Sequence, residues 1–173
     1  LDEAIDRVMA GPQKRTRIMS ARERKVTAYH EGGHALVAAA MNHTDPVAKV
    51  TILPRGRALG VTMYLPEGDK YSMNKVAIES QLCSLYGGRV AEALIFGEDK
   101  VTTGASNDFE RATQIARDMV TRYGMSDALG TMVYSEQDGE PFLGRSFSKG
   151  ANLSEATMQK VDDEVRRIID EQY

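Results

Sequence analysis

His30-Glu31-Gly32-Gly33-His34 fits the pattern H-E-x-x-H, and the spacing has a mechanical meaning. On a helix, residues four apart lie one turn apart on the same face, so both imidazoles can reach one metal ion. Zinc is the default occupant of such a pair. Glu31 lies about 100° round the helix from His30, beside the ion and not on it, where its carboxylate can take a proton from an attacking water. That is the position of a general base. A bare match of this length also arises by chance, from two helical histidines bordering a core. The glycines add weight to the functional reading, because each costs about 1 kcal/mol relative to Ala inside a helix. Gly33 falls on the apolar stripe, where close packing accounts for it; no packing role accounts for Gly32.

A catalytic zinc site takes three protein ligands and leaves the fourth position for water. In the metzincin pattern the third would be a His six residues after His34, but that place is Ala40, and the Gly position of the pattern is Val37. His43, the only other histidine, falls on the opposite helix face and reads as an exposed residue at a helix end. Two carboxylates remain. Glu92 lies four residues after Gly88 in Gly87-Gly88-Arg89-Val90-Ala91-Glu92, and a downstream helical Glu is the ligand of thermolysin-type sites. Asp108 heads a stripe continued by Ala112, Ile115, Ala116 and Met119, and a buried carboxylate needs a partner such as a metal. Asp108 reads equally well as a residue favoured by the helix dipole, and Glu92 as half of an ion pair with an Arg. Spacing leaves the choice open.

The elements that must position these groups can be read from pattern. Leu1 to Met9 forms an amphipathic helix, broken by Gly11-Pro12, in what reads as a piece of a longer protein. Ser20-Ala21-Arg22-Glu23 has capping-box spacing and starts a long helix to about Asn42, with Val26, Tyr29, Gly33, Leu36 or Val37, and Ala40 at helical spacing. Val47 to Leu53 and Gly60 to Leu65 read as paired strands about a turn at Pro54-Arg55-Gly56-Arg57. A helix apolar on two sides, and so buried, is expected from Ser72 to Phe96. A loop of cap residues at 102–107 leads to a helix ending near Tyr123. Val133 is expected in a short strand, residues 136–153 in a mobile loop, and the last helix from Ser154 onwards. The class is mainly α with a small β-hairpin or sheet.

The 173 residues suit one domain, and 42% apolar with 27% charged residues is ordinary globular composition, so a soluble folded chain is expected. Twenty-two basic and twenty-five acidic residues give a net charge of -3. Apart from the short Lys14 to Lys25 region nothing concentrates positive charge, and no nucleic-acid partner is expected. The longest nearly uncharged run, Ala35 to Met41, falls short of the roughly 20 residues that cross a bilayer. Cys83 is the single cysteine, sits in an apolar run and suits a reducing compartment. The phosphate-binding pattern G-x-x-x-x-G-K-[ST] is absent, so this chain is not expected to bind ATP.

Four blocks in order carry a resemblance: Tyr29-His30-Glu31-Gly32-Gly33-His34-Ala35, Ile52-Leu53-Pro54-Arg55-Gly56, Gly87-Gly88-Arg89-Val90-Ala91-Glu92 and Thr102-Thr103-Gly104-Ala105-Ser106-Asn107-Asp108. From about residue 20 onwards the chain resembles the peptidase domain of the FtsH family of membrane-anchored, ATP-dependent zinc proteases. The resemblance implies a zincin-type metalloprotease fold over 20–173, with 1–19 the end of a preceding AAA+ module and its linker. It implies that His30, His34 and Asp108 bind one Zn2+ per chain, that Glu31 is the catalytic base, and that Glu92 orients a ligand. Gly32 departs from the family, which commonly has Ala or Ser there. The resemblance further implies a hexameric ring at the cytoplasmic side of the bacterial inner membrane. There the AAA+ module of the same polypeptide uses ATP to feed unfolded or membrane proteins to the peptidase. Gly60, Val61, Thr62 and Met63, as an exposed edge strand, are candidates to hold an extended substrate by backbone pairing. The competing functions are a zinc-stabilised ring-assembly module without catalysis and a metal-free binding module insensitive to chelators.

Overall fold

The computed structural model describes residues 2–13, 18–69, 72–134 and 154–173. They form α1 (Asp2–Ala10), α2 (Ala21–Ala40), β1 (Val47–Thr51), β2 (Val61–Tyr64), α3 (Lys75–Phe96), α4 (Ser106–Thr121) and α5 (Glu155–Gln172), with short 3-10 turns at Glu98–Lys100 and Thr103–Ala105. The fold is therefore mostly helical, with one two-stranded antiparallel sheet. The chain divides into two compact units, one of residues 1–112 with 172–173 and one of residues 113–171. No helix among the described residues is long and apolar enough to cross a membrane.

Helix α2 starts where the capping box places it. The Ser20 hydroxyl accepts from the Glu23 amide at 3.2 Å and the Glu23 carboxylate accepts from the Ser20 amide at 2.8 Å, which satisfies two free donors of the first turn. The helix ends at Ala40, with Met41 as its cap, slightly before the expected Asn42. Its buried stripe is Thr27, His30, Glu31, His34 and Ala38, with Gly33 beside it. This corrects the expected apolar face, since Tyr29, Leu36 and Ala40 are exposed. The polar side chains of the motif face inward because α3 brings a matching polar and glycine-rich surface against them.

The crossing of α2 and α3 is made by glycines. A Cβ on Gly33 would run into the Gly87 carbonyl oxygen and lie 2.7 Å from Ala91 Cβ, and one on Gly87 would lie 2.6 Å from the Gly33 carbonyl oxygen. Gly32, one residue away, has nothing within 4 Å of its Cβ position. Around the crossing, Leu82, Leu85, Tyr86 and Ile78 of α3, Ala38 of α2 and Met63 of β2 are buried. The two-sided burial expected of α3 holds only over its middle, because Leu94 and Ile95 near its end are exposed. Cys83 is half-buried and not a core residue; its thiol donates to Gln172 Oε1 at 3.1 Å, and burial pushes its pKa up.

Strands β1 and β2 pair Thr51 with Val61 and Val50 with Thr62, with an irregularity between Val47 and Lys49. The turn joining them is fastened from α1. Asp6, buried, pairs with Lys49 of β1 and with the buried Arg55 guanidinium at 3.3 Å. Gly56 N donates to Pro12 O at 3.3 Å.

In the second unit, Ala116, Met119 and Val120 of α4 and Val161, Val165 and Ile168 of α5 are buried. There the Ser126 hydroxyl donates to Glu164 Oε2 at 2.5 Å, and Arg117 pairs with Asp162 at 3.2 Å. Val133 is exposed and lies in no strand, so the isolated strand expected there does not form. The mobile loop expected over 136–153, and residues 14–17 of the short basic region, lie outside the described residues.

Adjacent glycines thus carry opposite expectations. Gly33→Ala should destabilise the protein by about 3 kcal/mol, the upper end of overpacking costs, because the added methyl meets backbone. Gly32→Ala should leave stability unchanged or raise it by up to about 1 kcal/mol through helix propensity. Urea unfolding of the two variants checks both, and equal effects would contradict the crossing.

Candidate metal centre

His30 and His34 lie one turn apart on α2, and each ring is oriented through its Nδ1 atom. His30 Nδ1 donates to Glu92 Oε1 at 2.7 Å, and His34 Nδ1 donates to the Ser84 carbonyl oxygen at 2.8 Å, both acceptors being on α3. With Nδ1 committed as a donor, each neutral ring presents the lone pair of Nε2. The two Nε2 atoms are 3.0 Å apart, and Asp108 Oδ2 lies 3.3 Å from each. His30, His34 and Asp108 are the group of side chains able to hold one metal ion among the described residues, with ligand atoms all within 4.8 Å of one another.

The donor set fits a metal. Two imidazole lone pairs and a carboxylate oxygen facing one point repel one another until a cation sits between them. The titration behaviour points the same way. Burial works to lower the His30 pKa, but the Asp108 and Glu92 carboxylates bonded to the ring, and the charges of Glu31 and Asp108, outweigh it and raise the pKa. For Asp108, burial works to raise the pKa, and the hydrogen bonds and charges of His30 and His34 overcome it, holding the carboxyl at about 2. The cluster draws positive charge to itself, and two imidazoles plus one carboxylate are ligands of the kind that suit zinc.

Room for the rings comes from Gly88. A Cβ there would lie 2.6 Å from His30 Nε2 and from His34 Nε2, so any side chain at 88 would occupy the ligand atoms' place. Glu92, one turn on, is 1% exposed and fully engaged. Besides His30, it accepts from the Thr102 amide at 2.7 Å and from the Thr102 hydroxyl at 3.2 Å. It is therefore neither in the ligand group nor half of an Arg pair. Arg89 instead donates to the Thr102 carbonyl oxygen at 2.9 Å and stacks over Phe109, 4.7 Å from the ring centroid. Glu92 and Arg89 thereby hold the loop that delivers Asp108, the third residue of α4.

Glu31, 8% exposed, sits beside the ligands, and its Oε2 accepts from the Thr62 hydroxyl at 2.7 Å. Of the four residues expected on an exposed edge strand, Val61, Thr62 and Met63 lie in β2 and Gly60 immediately precedes it, packed against Glu31; none is exposed, and Gly60 and Met63 are buried, which corrects that part of the expectation. Tyr64 places its hydroxyl 3.0 Å from Ser84 Oγ, and burial raises its pKa. His43 is exposed and outside the group. Sequence reasoning passed over Ser84 and gave Thr102 only a place in a loop of cap residues. Their backbone atoms orient the site, and a backbone donor or acceptor leaves no side-chain signature.

Two histidines on one helix, a buried carboxylate between them in sequence and a further carboxylate from a second helix form a group that could hold a metal ion, the arrangement expected of a metallohydrolase. Comparison with known proteins gives the particular group: the model of Peptidase family M41 matches residues 17–173, and the chain belongs to that family. The ATP-dependent zinc metalloprotease FtsH of Haemophilus influenzae is 51% identical over 172 residues, 99% of this chain and 27% of that protein. Its namesake in Cutibacterium acnes is 56% identical over 170 residues, 98% of this chain and 23% of that protein. The namesake in Rubrobacter xylanophilus is 51% identical over 173 residues, 100% of this chain and 26% of that protein. The chain spans about a quarter of the length of these relatives.

Gly88→Ala should abolish metal binding while leaving helix content near wild type, and metal analysis beside far-UV circular dichroism checks this. Glu92→Gln should weaken metal affinity by about 10- to 100-fold, as loss of a ring-orienting partner does, measured by competition with a chromogenic chelator.

Proposed function

We propose that this chain is the zinc endopeptidase part of an ATP-dependent protease, with a zincin-type site in which His30, His34 and Asp108 hold one Zn2+ per chain and Glu31 is the general base. The observation that carries the reading is the convergence of three ligand atoms from α2 and α4 with a buried carboxylate alongside. Zinc in that position supplies Lewis acidity, polarising the scissile carbonyl and bringing the pKa of water towards about 7. Glu31 takes the proton of the attacking water and returns it to the leaving amine, a transfer its place next to His30 suits. Glu92 keeps the His30 ring turned so that Nε2 faces the ion.

Extended substrate is held along residues 60–63 by backbone pairing, which favours unfolded chains and tolerates many sequences. The names of the relatives, and the quarter of their length that this chain covers, support a division of labour. Residues 1–19 belong to the end of an AAA+ module, 20–173 to the peptidase domain, and ATP is used by the module alone. The whole protein then works as a membrane-anchored hexamer, with the peptidase on the cytoplasmic side of the bacterial inner membrane. The reading of a non-catalytic, zinc-stabilised assembly module is not favoured. A structural zinc site ordinarily closes its fourth position with another protein ligand and has no use for a carboxylate in the place of Glu31.

Zinc content and cleavage of an unfolded casein-like substrate, compared across variants, check the assignment. Wild type should hold about one zinc and cleave; Glu31→Gln should keep the zinc and lose at least about 100-fold in rate, within the range of general-base catalysis. His30→Ala and Asp108→Ala should lose both zinc and cleavage, as should chelator-treated protein, and full zinc retention by either variant would sink the ligand assignment.

A further inference from the structure

The side chain of Glu31 is clasped along its length by the start of β2. At the stem, a Cβ on Gly60 would lie 2.8 Å from Glu31 Cγ, 2.6 Å from Thr27 Cγ2 and 2.9 Å from the Thr51 carbonyl oxygen, so only glycine lets the strand run this close. At the tip, the Thr62 hydroxyl meets two acceptors of the same residue, Glu31 Oε2 at 2.7 Å and the Glu31 carbonyl oxygen at 3.0 Å. A hydroxyl has one proton to give, so the two acceptors compete for it, and the shorter contact is to the carboxylate. Thr62 is itself fixed by pairing with Val50 across the sheet. Two residues on, and therefore on the same strand face, Tyr64 reaches Ser84, whose carbonyl oxygen orients His34.

We propose that Thr62 is a positioning residue for Glu31, holding the carboxylate in the one rotamer from which it reaches the reacting water. This rests on the reading of Glu31 as general base. A glutamate carries three side-chain torsions, and a base free to explore them spends little time in reach of its proton. The bond to Thr62 uses Oε2 and leaves Oε1 for the transfer. The role is distinct from substrate pairing along β2, which uses backbone atoms that a side-chain substitution leaves in place.

The test compares Thr62→Val, which keeps the β-branched shape and removes the donor, with Thr62→Ser, which keeps the donor. Both are placed in the full-length protein and assayed with ATP on an unstructured fluorogenic peptide. Thr62→Val should lower kcat by about 10- to 100-fold, the size of a lost hydrogen bond to a charged group, with KM within about twofold of wild type. Zinc content and melting temperature should stay at wild-type values. Thr62→Ser should recover kcat to within a few-fold, and a crystal structure of Thr62→Val should show Glu31 in more than one rotamer. Should valine prevent folding, Thr62→Ala takes its place. Unchanged kcat in the variant without the hydroxyl, equal losses with and without it, or a loss confined to KM would each overturn the proposal. Glu31→Gln is measured alongside. If it is inactive while Thr62→Val is fully active, only the positioning role fails; if it retains activity, the general-base reading fails.

Discussion

Two helices reach backbone contact only where both lack side chains, and the rest of this structure depends on one such crossing. Gly33 on α2 and Gly87 on α3 interlock so closely that a Cβ on either would enter the other helix's peptide group. The approach sets the scale of everything above it. With the axes this near, Gly88 comes level with both imidazoles, the Ser84 carbonyl oxygen comes within reach of His34, and Glu92 within reach of His30. A wider crossing would leave two exposed histidines whose rings turn freely. Helical glycines weaken α2 and α3 as isolated helices, and the burial of Leu82, Leu85, Tyr86 and Ala38 around the crossing offsets that cost.

Around this contact the charges are arranged in shells of alternating duty. Asp108 offers an oxygen to the point the histidines face, while Glu92, more deeply buried, spends its oxygens on His30 and Thr102. Burying a carboxylate without partners costs several kcal/mol or shifts its pKa until it is neutral. Glu92 has its hydrogen-bond partners, and for Asp108 the two histidines overcome burial and hold the pKa at about 2. Glu92 also couples the two ends of the site, since the residue that turns a ring on α2 anchors the loop that presents Asp108 on α4.

Much of this was legible in the sequence, for identifiable reasons. The capping box fixed the start of α2, and i, i+4 spacing put both histidines on one face, because these signals act within a single turn. The roles of Glu92 and Asp108 were not separable from spacing, since each is a carboxylate near a glycine or a cap and only the distance to Nε2 distinguishes them. The apolar stripe of α2 misled for a related reason: counting hydrophobic residues hides a buried face whose members are Thr27, His30, Glu31 and His34. Leu94 and Ile95 extended the apolar pattern of α3 past the point where anything covers them. The contact made through the Ser84 backbone carbonyl left no trace at all.

The hairpin of β1 and β2 is held from two helices. Asp6 on α1 grips it through Lys49 and Arg55, and its other strand lies along Glu31 through Gly60 and Thr62. Strand pairing sets Lys49 opposite Met63, next to Thr62, so the two grips lie close together in the ladder. One paired element therefore touches both α1, through Lys49 and Arg55, and the Glu31 side chain, through Gly60 and Thr62, so the first helix and the acidic side chain of the motif share a single support.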